Sequence, residues 1–197
     1  MSMDLQAQIL ADQQASYVRL RGGFPVPLAG MFYWLLVAGL SWYFSPVQQL
    51  NLAFFISGLI FPLALVLAAI FRNPFLKDRT ATGGVLVPAM IGMLLFWPML
   101  AVTAQSANPD AVLVILAIGM SLHWPVIGWS YGRTALFTGH SILRAIAVLA
   151  VWAFLPSQRF LAIPLAVAIV YALTVIAIVV DSGLMAQKMS ASARPGP

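Results

Sequence analysis

The chain has 197 residues, of which 62% are hydrophobic and only 8% charged, and its mean hydropathy is +0.96. So little charge cannot cover a soluble domain, so lipid is the solvent for most of these residues. Cysteine is absent, which excludes disulfides, thiolate metal sites and cysteine nucleophiles. The net charge of +5 comes without a basic stripe interleaved with aromatics, so it points to anionic lipid and membrane topology, not to nucleic acid.

Residues 1–26 read as a cytoplasmic or interfacial segment. Asp4 and Asp12 interrupt it and no cationic leader precedes an apolar core, so it is not read as a signal peptide. Leu5, Ile9, Tyr17 and Leu20 can form the apolar side of a short surface helix; a plain polar leader is the alternative. Gly22-Gly23-Phe24-Pro25-Val26-Pro27 then breaks any helix and feeds the chain into the membrane.

Six apolar runs follow, each near the ~20 residues a helix needs to cross hydrocarbon. They lie at about 27–44, 50–71, 84–105, 111–131, 137–155 and 160–181, within a transmembrane bundle spanning 27–181. Turn-forming or charged residues separate them, among them Ser45-Pro46, Asn108-Pro109-Asp110 and Pro156-Ser157-Gln158-Arg159. Residues 182–197 read as a disordered C-terminal tail. The expected fold is therefore an all-α polytopic bundle of about six spans. With the N-terminus inside, Arg19, Arg21, Arg72, Lys77, Arg79, Arg133, Lys188 and Arg194 are cytoplasmic, and the opposite side holds only Arg159. That asymmetry is the positive-inside bias, and it puts both termini in the cytoplasm.

Two of the runs share a sequence. Ile91–Pro98 and Ile118–Pro125 agree at six of eight positions, including a Trp-Pro pair, and one copy has Phe96 where the other has His123. Proline cannot donate to the carbonyl four residues back, so Pro98 frees Leu94 and Pro125 frees Ser121, kinking both helices. On neighbouring antiparallel helices the copies would be related by a rough two-fold axis in the membrane plane. Similar packing faces without ancestry explain the same pattern. Three-plus-three inverted repeats are not found, so the repeat is weak evidence for transport. Gly39, Gly58, Gly92 and Gly119 permit close helix contact, which allows a homo-oligomer.

Polar groups gather on the fourth and fifth runs. His123 lies ~12 Å deep from the cytoplasmic side and Arg144 at nearly the same depth. His140 and Ser141 share the helix face of Arg144, and Ser130, Tyr131 and Arg133 stand at the mouth. A charge at that depth costs about 2.5 kcal/mol or more unless it is paired, hydrated or able to snorkel. Asp181 is the only anion the sequence places within reach of Arg144. Either Arg144 snorkels to lipid phosphate or binds freed carbonyls, or it charges an anion-accepting pocket with His123, His140, Tyr131 and Ser141 as partners. Two histidines without carboxylate or thiolate do not complete a metal site, and no haem or other cofactor is expected.

Three functions fit these residues: binding or passing a small anionic or lipid-like ligand from the cytoplasmic side, ligand-free assembly or scaffolding, and intramembrane catalysis. The last is the weakest, because no membrane carboxylate can orient a histidine base, and Gly-rich phosphate loops, GxSxG and HExxH are all missing. Membrane lipids are the expected partners. GGFPVPLAGMFYW entering the first span, GLIFPLAL in the second and LHWPVIGWSYGR in the fourth resemble a small uncharacterised bacterial membrane family of unknown function. The resemblance covers roughly residues 20–180. It implies six helices in a bacterial inner membrane and supplies no catalytic residue.

Overall fold

A computed structural model describes residues 4–75, 77–80, 83–106 and 108–192. Among the described residues the chain is helical throughout, with no strand. The helices are α1 Leu5–Arg19, α2 Pro25–Leu40, α3 Pro46–Ser57, α4 Ile60–Ile70, α5 Leu86–Leu94, α6 Phe96–Ser106, α7 Pro109–Gly119, α8 Trp124–Ser130, α9 Thr134–Phe154 and α10 Arg159–Ser192. Three of them open on proline where its missing N–H is no loss: α2, α3 and α7. Ser45 adds a capping box with Gln48, and Asn108 accepts the Asp110 N–H at 3.0 Å.

Proline placement explains the breaks. Pro62 leaves the Gly58 carbonyl without its helical donor, and α3 and α4 meet there at 52°. Pro98 does the same at Leu94, and α5 gives way to α6 at Leu95. Pro125 does it at Ser121, where residues 120–123 form a tight turn between α7 and α8. Two freed carbonyls are answered from neighbouring helices. Ser141 Oγ donates to Ser121 O at 2.9 Å, and the Gln49 amide donates to Phe160 O, freed by Pro164, at 2.7 Å. Gln49 also donates to Val37 O at 2.8 Å, an orphan carbonyl in the last turn of α2.

Four helical stretches are long and apolar enough to cross a membrane: Arg21–Leu40, Pro109–Ser130, Thr134–Phe154 and Pro156–Ser192. The bent α3–α4 pair makes a fifth if it is one span. In the run expected at 84–105, the apolar stretch among the described residues is the shorter Ile91–Gln105, which contains the break between α5 and α6. The tail expected from 182 is helical through Ser192 as the last turns of α10; residues 193–197 lie outside the described residues.

α10 and α2 form the centre, with α9 on α10, α4 on α2 and α8 on α9. The core includes Trp34, Val37, Leu113, Leu116, Phe137, Ile163 and Ile178. Ion pairs mark the two ends. Arg19–Asp78 at 2.8 Å and Arg133–Asp181 at 2.7 Å close the end where α1 lies, and Arg159–Asp110 at 2.6 Å closes the other. The 21 residues of α9 separate the two ends by ~30 Å.

The N-terminal helix docks differently from the sequence expectation. Leu5 is exposed, and the buried face is Gln13, Ser16, Tyr17 and Leu20. Ser16 donates to Asp78, the Tyr17 hydroxyl donates to Ile178 O, and Asn73 donates to Leu20 O at 2.6 Å. The turn into α2 needs glycine: Gly22 has φ 67°, and a Cβ there would collide with Ile178.

Candidate functional site

The polar residues singled out on α8 and α9 divide into two groups, separated by one indole. Trp124 stacks on Phe137 with centroids 5.8 Å apart, and its ring is 5.1 Å from His140 and 5.9 Å from Tyr171. The tight turn before Pro125 sets this position, because it starts α8 afresh at Trp124 and turns the ring toward α9 and α10.

Behind Trp124 the polar groups are sealed. Arg144 has no exposed surface. Its guanidinium lies between Trp34 and Tyr171, 5.2 Å from each ring centroid, and Nη1 donates to the Tyr171 hydroxyl at 2.9 Å. Arg144 therefore reaches neither end of the bundle, and the snorkelling reading is corrected. Asp181, the anion thought to be within its reach, is instead paired with Arg133, which also lies over the Tyr17 ring. The guanidinium Nε and Nη2 have no protein partner. His140 Nδ1 lies 2.7 Å from Thr174 Oγ1, whose single hydrogen goes to Val170 O at 2.8 Å. The ring must therefore be the donor through Nδ1, which leaves Nε2 as an unpartnered acceptor. Ser141 is committed to the Ser121 carbonyl. None of Arg144, His140 and Ser141 lines the cavities described next.

In front of Trp124 lies an apolar chamber of about 250 Å³, lined by Gly23, Phe61, His123, Trp124, Ile127 and Tyr131 among others. His123 Nδ1 and Trp124 Nε1 are buried without a protein partner. Tyr131 rests its hydroxyl against Gly23, where a Cβ would come within 2.8 Å of it. Phe75, Leu86 and Tyr131 also line a second cavity of about 390 Å³, whose walls include Asp78, Arg79, Thr80 and Ser130. This polar mouth sits at the α1 end.

His123 and Tyr131 thus line the chamber, while Arg144, His140 and Ser141, which the sequence grouped with them in one pocket, belong to the sealed group. Sequence reasoning missed Arg79, Thr80, Phe75 and Leu86, which arrive from the connection after α4 and from the start of α5. A loop between two spans carries no periodicity that would bring it over α8. Trp124 was flagged only as half of a Trp-Pro pair. Among the described residues no group of three His, Asp or Glu side chains is placed to hold a metal.

A family model described as a family of unknown function, DUF7010, matches residues 11–181, and the chain belongs to that family. The match runs from Ala11, within α1, to the α10 residue Asp181, and so takes in the chamber, mouth and sealed group. No curated protein and no solved structure matches the chain.

Proposed function

We propose that this member of the DUF7010 family is a membrane protein that binds a small lipid-like ligand through an opening on its cytoplasmic side. The observation that carries the reading is the chamber beside His123 and Trp124, apolar in its walls and sharing Tyr131, Phe75 and Leu86 with the polar-walled cavity at the α1 end. Apolar walls favour an apolar body, while unpartnered imidazole and indole nitrogens favour a ligand with one or two hydrogen-bonding groups. Arg144 is not a ligand-binding residue in this reading, because Trp124 stands between it and the chamber.

The topology proposed with it is six crossings with both termini cytoplasmic. Support comes from the end pairs: Asp78 is held by Arg19 at one end and Asp110 by Arg159 at the other, so α5 and α6 together must bridge the ends although neither is long enough alone. The cationic excess lies at the α1 end, which the positive-inside bias assigns to the cytoplasm.

Ligand-free scaffolding is favoured by one observation, the sealed group itself. Arg144–Tyr171, Arg144–Trp34 and His140–Thr174 tie α9 to α10 and α2 and look inward only. The two readings part on one experiment: thermal unfolding of the purified chain in detergent with a series of single-chain alcohols and acids added. Binding raises the midpoint for wild type and not for Ile127→Trp, which fills the chamber. No shift for any member of the series leaves scaffolding.

A further inference from the structure

We propose that the chamber continues sideways into the bilayer past His123, and that its occupant is a long-chain carboxylate with its head at Arg79 and its tail leaving between α5 and α8. This rests on the binding reading above and names its ligand class.

The sideways opening follows from the repeated helix. α6 packs on α7 and α5 on α8, the exchange of halves that a two-fold axis between antiparallel copies produces. In one half the match is filled: the Phe96 ring occupies the notch at Gly119, where a Cβ would collide with it. The symmetry-related notch is Gly92, and the residue matching Phe96 is His123. That notch is empty, since a Cβ on Gly92 would meet nothing within 4 Å. The smaller imidazole leaves a groove of about 340 Å³ lined by Gly92, Phe96, Met99, Leu122, His123 and Val126 among others. Leu95, Met99 and Leu122 are each more than 60% exposed, so the groove faces the outer, lipid-contacting surface of the bundle. His123 lines this groove and the chamber alike. Mouth, chamber and groove therefore form a series with shared walls: polar at the α1 end, apolar in the middle and open to lipid at the far side.

Charge selects the head group. Asp78 at the mouth is already neutralised by Arg19, whereas Arg79 has no ion-pair partner among the described residues. One unpaired guanidinium beside the Thr80 hydroxyl balances a single negative charge and can hold a carboxylate by two parallel hydrogen bonds. The one chain threading past His123 sets the other half of the ligand: a single alkyl tail.

The test uses the full chain in phosphatidylcholine nanodiscs with two photoactivatable palmitic acid analogues, one carrying its diazirine near the carboxylate and one near the methyl end. Mass spectrometry of the labelled peptides should place the first on Phe75, Leu86 or Tyr131 and the second on Met93, Met99 or Leu122. His123→Phe, which reproduces the Phe96 filling, should abolish the second label and keep the first; the retained label also reports that the variant is folded. Arg79→Gln should reduce labelling by the acid several-fold and leave labelling by the corresponding fatty alcohol unchanged. Both probes labelling only the mouth and chamber would overturn the sideways path while leaving the binding reading intact. Label spread evenly over the lipid-facing helices would overturn both.

Discussion

A guanidinium with no exposed surface and no carboxylate beside it must have its charge answered by ring faces and dipoles. At Arg144 the answer comes from Trp34 and Tyr171, which flank the plane, and from the Tyr171 hydroxyl, which accepts from Nη1. A desolvated cation–π contact is worth about 2 kcal/mol, and losing the partner of a buried charged donor costs about 1–3 kcal/mol. Tyr171→Phe keeps the ring and removes the acceptor, so it should destabilise the protein by about 1–3 kcal/mol in denaturant unfolding. Arg144→Lys should cost at least as much, because a compact ammonium cannot present a flat face to two rings at once. An unchanged midpoint for both variants would mean that the aromatic clamp contributes nothing. The sequence set Arg144 near the cytoplasmic end of the run beginning at 137; α9 starts earlier, at Thr134, and the arginine lies in the middle of its 21 residues. The partners of Arg144 were not legible, because nothing in a one-dimensional pattern says which rings of α2 and α10 will face it.

At the scale of elements, proline both breaks the helices and dictates what crosses between them. The carbonyl that Pro125 frees at Ser121 was foreseeable from the sequence; that Ser141 would supply the donor was not, and the same serine had been read as a ligand group. The Phe160 carbonyl, freed by Pro164, is the stronger case, since Gln49 is 1% exposed and its amide joins α3 to both α10 and α2. Gln49→Leu should cost about 1–3 kcal/mol, and less once Pro164→Ala has restored a backbone donor for Phe160 O, so a double-mutant cycle should give a clear coupling. Additive costs would show that Gln49 acts elsewhere. The repeat makes a second prediction. Alanine in place of a helical glycine gains about 1 kcal/mol of propensity, so Gly92→Ala should be neutral or stabilising, since its Cβ meets open space. Gly119→Ala must displace the Phe96 ring and should cost about 1–3 kcal/mol by overpacking. Equal thermal shifts for the two would remove the asymmetry between the notches. The repeat itself was plain in the sequence; its unequal filling was not, because it depends on how a phenyl and an imidazole each meet a backbone four residues back on the partner copy.

For the molecule as a whole, the ion pairs among the described residues lie at the ends, and the ends constrain the path of the chain. Each end pair joins distant stretches, so residues 19 and 78 are at one level, as are 133 and 181, while 110 and 159 share the other. The composition made a membrane bundle legible at once, and the apolar runs located four of the long helices. The third run was harder, because a broken pair of short helices has the hydropathy of a span without its continuity. The crossing proposed for it rests on the end pairs. Burial of Tyr17 against Ile178 and Tyr131 further ties α1 to that same end, so the N-terminal helix cannot lie on the opposite surface. Its phenol is held well above the usual range, first by burial and then by the Asp181 carboxylate, which keeps it a neutral donor at that interface. Reporter fusions in a bacterial host test the resulting map. Enzymes active only outside the cytoplasm should score after Ser45, after Asn108 and after Gln158, and enzymes active only inside should score after Lys77. The fusion after Asn108 reads directly whether α5 and α6 traverse the bilayer, and the fusion after Gln158 must agree with it. An internal signal there would make 84–106 a re-entrant segment, and it would place Asp110 and Arg159 on the cytoplasmic side with Arg19, against the separation that α9 imposes.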